Sequence, residues 1–237
     1  SRWPRNAPVR YQLAFAMLAT GNADGALTAL EEARRGLSQA AVARPFAMAL
    51  FHSNQHDELQ RFLKDLRRRP GIKGNAPERE VMRMQASHAL LTNQPAEAAR
   101  YIAESFSWIR QTNTQLSRFT LDVVEDGEVL ARLGQRQILA DGIAGFLQLG
   151  QLPPAFANAI TYLGGLLAVL DQKPTKRALA TLQKSHDTVL HGQLQAAVFR
   201  HAGQLKAETA ALRRVLSSST DPLSYANYAR ALADAGE

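Results

Sequence analysis

The chain has 237 residues, no cysteine and a formal charge of +7. The missing cysteine excludes a disulfide framework, a Cys-based zinc site and a thiol nucleophile. Apolar residues make up 46% but aromatics only 7%, so the core must be built mainly from small and aliphatic side chains, a composition that suits close helix stacking. Alternating runs of Val, Ile, Thr and aromatics are absent, which predicts no sheet.

In chain order the pattern is helix, tight turn, helix, returning about every 33 to 41 residues. The first unit, 7–38, runs Leu13, Ala14, Met17 to Gly21 and resumes with Ala26, Leu30 and Ala33. The second, 39–70, carries Phe46, Ala47 and Leu50, then Leu59, Phe62, Leu63 and Leu66. Asn54 stands where the first unit has Gly21, and Asn tolerates the left-handed backbone nearly as well as Gly. Pro70 to Pro77 reads as a loop. The third unit, 78–108, has Met82, Ala86 and Ala89, a turn at Asn93-Gln94-Pro95, then Ala98, Ile102 and Phe106. The fourth, 115–150, has Leu130, Gly134, Leu139, Ile143 and Phe146, with Glu125-Asp126-Gly127-Glu128 unusual in a helix.

The fifth unit, 153–186, follows Pro153-Pro154 and shows Leu163-Gly164, Leu167, a turn at Asp171-Gln172-Lys173-Pro174, then Ala178 and Leu182. Its apolar run, Phe156 to Leu170, is broken by Asn158, Thr161 and Gly164-Gly165, which fits a buried helix better than a bilayer span. The sixth, 189–219, has Leu194, Ala197, Val198, Gly203, Leu212 and Val215. The seventh, 222–237, is truncated after one helix; Asp221 is its expected cap and Pro222 suits a first helical turn. A start at Ser1 without Met and a stop at Gly236-Glu237 suggest a piece of a longer array, with any targeting segment outside it.

These units resemble tetratricopeptide repeats (TPR), whose pattern is W-x2-L-G-x2-Y, then A-x3-F, then P. Leu13-Ala14-x2-Met17 with Ala26-x3-Leu30 carries the likeness, as do Ala86-x2-Ala89 with Ala98-x3-Ile102, and Leu163-Gly164-x2-Leu167 with Ala178-x3-Leu182. Tyr225-x2-Tyr228-Ala229-x2-Leu232 matches the first half. A small residue in the first helix lets its partner approach, and the large residue four after the second helix's Ala fills the groove beside the crossing. No unit carries the full pattern: Arg10 stands where Trp would be, and Glu208 lies near the small-residue crossing of the sixth unit. The resemblance implies an all-α, right-handed superhelical α-solenoid of about six and a half helix-turn-helix repeats over residues 1–237.

In such arrays the first helix of each unit lines a concave groove. By matching position, that groove comprises Tyr11, Phe15, Arg44, Met48, Phe51, Arg83, Ser87, Glu128, Arg132, Gln193, Ala197 and Arg200. Aromatic anchors followed by Arg suit an extended or helical peptide with acidic residues. Tyr11, Phe15 and Phe51 serve equally well as packing between units. A second feature is basic. Between Gln60 and Arg83 lie Arg61, Lys64, Arg67, Arg68, Arg69, Lys73, Arg79 and Arg83 against only Asp65, Glu78 and Glu80. This patch suits an acidic protein, a polyanionic polysaccharide or phospholipid headgroups, or is simply a solvated helix end favoured by the helix dipole. Nucleic acid is disfavoured, because Phe62 is the single aromatic among the cations and no known reading motif accompanies them.

Glu125, Asp126 and Glu128 hold carboxylates of the kind used in glycoside cleavage, but acids along one helix are more often a wet face. His52 and His56 share a helix face without a third zinc ligand, and His186, His191 and His201 are equally unsupported. No nucleophile elbow, phosphate loop or dinucleotide fingerprint is present, so neither enzyme nor cofactor is expected. The expectation is a non-enzymatic scaffold that docks a partner protein. The Ala/Arg/Gln-rich make-up and the degenerate repeats suggest a bacterial periplasmic array of the exopolysaccharide secretion type. The alternative is the ligand-sensing superhelix of a MalT-type transcription regulator.

Overall fold

The computed structural model describes residues 6–112, 115–171, 188–219 and 222–236. The described residues are all-helical, with no strand. In order they form α1 (Ala7–Ala19), α2 (Ala23–Ala33), α3 (Gln39–His52), α4 (His56–Arg67), α5 (Ala76–Leu91), α6 (Pro95–Thr112), a 3₁₀ turn (Leu116–Phe119), α7 (Thr120–Arg132), α8 (Arg136–Leu147), α9 (Pro154–Leu170), α10 (Thr188–His201), α11 (Leu205–Leu216) and α12 (Pro222–Ala235). The expected second helix of the fifth unit, with Ala178 and Leu182, falls outside the described residues, as do His186 and the cap Asp221.

The helices stop for one repeated reason. After α1, α3, α5, α7 and α10 the chain turns through a left-handed residue: Gly21 (φ 78°), Asn54 (56°), Asn93 (56°), Gly134 (66°) and Gly203 (70°). The amide of the next residue reaches back to a carbonyl inside the helix: Asn22 to Met17, Gln55 to Leu50, Gln94 to Ala89, Gln135 to Leu130 and Gln204 to Phe199, at 2.7–3.0 Å. The left-handed residue itself bonds three residues back, as Gly21 does to Leu18 and Asn54 to Phe51. This six-to-one, five-to-two pair is the Schellman motif, which satisfies the orphan carbonyls of a helix end. Asn54 therefore does take the role of Gly21, as its sequence position implies.

Helix starts are set by Ser38, whose hydroxyl accepts from the Ala41 amide, and by Asn22, whose side chain accepts from the Gly25 amide at 2.9 Å. Pro45 lies inside α3 and has no amide to offer the Ala41 carbonyl. The Tyr11 hydroxyl donates to that carbonyl instead, at 3.3 Å, tying α1 to α3.

The chain divides within α6 into two compact units, Ser1–Ser105 and Phe106–Glu237. The first has a core of Ala14, Ala26, Leu30, Phe46, Leu50, Leu59, Leu63, Leu66 and Ile72. The buried Ile72 pins the loop that separates α4 from α5. The second unit is organised around a run of edge-on rings, Phe106 to Phe146 at 5.4 Å and Phe146 to Phe156 at 5.2 Å, all at most 1% exposed. Within it α7 packs on α9, α9 on α10, and α11 on α12. Gly127 explains the first of these crossings: a Cβ there would lie 2.4 Å from a Leu163 methyl, so only Gly admits Leu163.

Candidate functional site

Three concavities hold most of the residues singled out from sequence; Tyr11, Phe15, Arg69 and Arg79 line none of them. The first, in the N-terminal unit, has a volume of about 660 Å³ and gathers Arg61, Lys64, Arg67, Arg68 and Lys73 with Arg100, Gln60, Gln85 and Tyr101. Arg69 does not line it. The cations differ in kind. Arg67 is held by Glu78 at 3.2 Å and by Glu104 at 2.5 Å, and Arg100 by Glu97 at 2.5 Å and Glu104 at 2.9 Å. Glu78 also accepts from the Gly74 amide, fixing the loop before α5. Arg67 and Arg100 are thus structural clamps, and Arg61, Lys64, Arg68 and Lys73 carry the net positive field. Arg79 is 2% exposed and sits inside the fold beside Glu80, not on the patch.

The second concavity, about 340 Å³, lies on the first-helix faces of α3 and α5. It brings together Arg44, Met48, Phe51, Arg83 and Ser87, with Glu80, Met84 and Leu91 beside them. Met48 and Leu91 are exposed at 41% and 65%, leaving an apolar floor in solvent. Phe15, at 42%, is also exposed, with Tyr11 edge-on at 5.0 Å. Tyr11 has a packing duty through its bond to Ala41, whereas Phe15 does not plug a core.

The third concavity, about 180 Å³, lies in the C-terminal unit and unites Glu128, Arg132, Gln193, Ala197 and Arg200. Four further residues complete it or brace it, of which only Glu208 stands out in the sequence, and there as a departure from the repeat pattern. Tyr162 donates its hydroxyl to Glu128 at 2.5 Å, Asn227 donates to the other Glu128 oxygen at 3.5 Å, Arg230 lines the wall, and Glu208 pairs with Arg200. Leu166, Val169 and Leu212 provide an apolar side. The expectation of a wet acidic face fails here. Asp126 and Glu128 are 7% and 8% exposed; Gly127 between them lets Leu163 of α9 close on α7, and Tyr162 of α9 bonds Glu128.

The electrostatics of this pocket are crowded. Burial, and then the adjoining Glu128 carboxylate, push the Tyr162 phenol well above its ordinary value, so it stays a neutral donor. Arg230 is held below the usual guanidinium value, first by burial and then by Arg200 and Arg132. Among the described residues neither Arg132 nor Arg230 forms an ion pair, and the buried Gln193 carbonyl oxygen has no hydrogen-bond partner.

A spacing in the sequence points to one of the missed residues. Phe15, Met48, Ser87, Glu128, Ala197 and Arg230 each stand six residues before a left-handed turn residue: Gly21, Asn54, Asn93, Gly134, Gly203 and Gly236. Extending that register to the last helix nominates Arg230. No comparable signal nominates Tyr162 or Asn227. The histidines form no metal cluster among the described residues. His52 is exposed, His56 lies against Phe51 and His88 at 5.5 and 5.6 Å, and His191 meets Gln195. No described helix is long and apolar enough to cross a membrane.

In comparisons with known proteins, no family model matches the chain and no curated protein matches it.

Proposed function

We propose that this chain is a TPR-like array of helical hairpins, wound as a right-handed superhelix, that holds a protein partner along its first-helix faces and does not transform it. One observation carries the reading. The register six residues before each turn supplies cavity-lining side chains in both units: Met48 and Ser87 in the first, Glu128, Ala197 and Arg230 in the second. A surface that recurs with the repeat is what a solenoid offers a partner. Its chemistry, exposed Phe15 on α1 and apolar Met48 and Leu91 beside Arg44 and Arg83, suits a peptide segment carrying hydrophobic and acidic residues. Glu128 is the one carboxylate among the residues lining its pocket, and hydrolysis of a glycoside calls for two.

A test is to pan a random peptide library against the chain. Enrichment of acidic-hydrophobic peptides, with binding lost in Arg44→Glu and Arg83→Glu, supports the reading. No enriched sequence, or equal binding by both variants, overturns it. Small-angle scattering tests the array itself, since an elongated curved rod is expected and a sphere is not.

The ligand-sensing alternative is favoured by a different observation, the narrow charged pocket of the C-terminal unit. A place in a bacterial envelope assembly, docking polysaccharide enzymes near an export pore, rests on the resemblance and the composition alone.

A further inference from the structure

We infer that the pocket between α7, α9, α10 and α12 binds a small organic monoanion: a carboxylate carried on an apolar body about the size of a benzene ring. The inference rests on reading the first-helix faces as a binding surface, and gives this part of it a ligand.

Four observations converge. The first is charge count. Arg132, Arg200 and Arg230 meet at the pocket, and the carboxylates that answer them are Glu128 and Glu208. Glu208 is taken by Arg200. Glu128 is already engaged by Tyr162 and Asn227. One positive charge is left over, held by Arg132 at the exposed rim and the half-buried Arg230. Three guanidiniums gathered this closely repel one another, which a fold tolerates where an anion comes to relieve it.

The second observation is an unmet polar group. Gln193 is 6% exposed, and its amide nitrogen reaches Ser224 at 3.5 Å while its carbonyl oxygen has no partner among the described residues. A buried acceptor in this state is a standing cost that a bound water would remove, giving one hydrogen to Gln193 and the other to the ligand's carboxylate. The third is the wall. Leu166, Val169, Leu170, Ala196, Ala197 and Leu212 make one side apolar, so an inorganic anion would leave that side empty. The fourth is size. A cavity of about 150 Å³ accommodates benzene, and this one is about 180 Å³, well below the volumes that hold drug-sized ligands.

Benzoate is the simplest molecule with these properties, and benzamide is its uncharged counterpart. A ligand this small binds at about 1 mM, so the experiment is a ligand-observed NMR titration of the full chain. Benzoate is expected to saturate, with benzamide roughly tenfold weaker or more. Arg132→Gln with Arg230→Gln should lose benzoate binding while keeping the helical circular-dichroism spectrum, because neither arginine has an ion-pair partner among the described residues. Glu128→Gln should tighten benzoate binding, because it removes the opposing charge and keeps an acceptor for Tyr162. Benzoate that does not saturate by about 10 mM, or that binds the double arginine variant as well as the parent, overturns the inference. Such a failure leaves the peptide-groove reading standing, since that is tested at Arg44 and Arg83 in the other unit.

Discussion

The two units solve the problem of housing charge differently. In Ser1–Ser105 the carboxylates stay near the surface and clamp selected arginines: Glu78, Glu97 and Glu104 fix Arg67 and Arg100, and Arg61, Lys64, Arg68 and Lys73 face a broad, open concavity. In Phe106–Glu237 some of the acids move inside. Glu208 is fully buried, Glu128 nearly so, and each is met by a specific partner. A charge in water is cheap and weakly directional, whereas a charge in the fold is costly and must be answered group by group. The first arrangement yields a field and the second a shaped pocket.

The largest effect that sharpens this contrast is in the cores. Phe146→Ala removes the middle ring of the Phe106–Phe146–Phe156 run and should cost about 4 kcal/mol in urea unfolding. Leu50→Ala should cost about 3 kcal/mol. Hydrogen exchange should lose protection first in the unit that carries the substitution. Uniform loss across both units would show that the division at Ser105 has no energetic meaning.

Next comes the interior charge. Glu208→Ala strands Arg200 and should destabilise by about 2 kcal/mol, below the roughly 3–5 kcal/mol of a fully buried pair because Arg200 retains access to water. A smaller effect distinguishes the turns. Gly134→Ala forces a Cβ into φ 66° and should cost about 1 kcal/mol, whereas Asn54→Gly should stabilise by about 0.5 kcal/mol.

His88 gives the first unit a pH dependence. It is buried, and burial, followed by the neighbouring His56, lowers its pKa. The folded state therefore binds fewer protons than the unfolded chain, so stability is complete above about pH 6.5 and falls as the pH drops below it. His88→Gln should flatten that acid-side decline in Tm. Smallest of all, Arg68→Glu should leave stability within about 0.5 kcal/mol, whereas Arg67→Glu should lose more, because it breaks two ion pairs. Equal losses would erase the distinction between clamps and free cations.

The helices and their turns were legible because each is decided locally. A Gly or Asn after an apolar run, followed by Asn or Gln, specifies the left-handed stop at Gly21, Asn54, Asn93, Gly134 and Gly203 without reference to anything distant. Arg44, Met48, Arg83, Glu128 and Arg200 line concavities on the first helices of their hairpins for the same reason, since position within a repeat determines position on the helix. What stayed hidden depends on pairs far apart in the chain. Nothing near Glu128 announces that Tyr162 and Asn227 will bind it. The burial of Asp126 and Glu128 was visible only through Gly127, read as an oddity in a helix when it marks the place where α9 closes in. The basic patch was legible as charge but not as structure, because pairing with Glu104 depends on how α6 lies.

The bond from Asn227 to Glu128 spans 99 residues. Contacts of that separation form late, and at about 5–20 residues per second a ribosome needs roughly 5 to 20 s to deliver the second partner after the first. Through that interval the nascent chain has Glu128, and then Tyr162, but no Arg230 and no fourth wall. The anion pocket is therefore the last feature of this segment to come into being during synthesis, and a chain cut short before Pro222 would keep most of its helices while having nothing with which to close it.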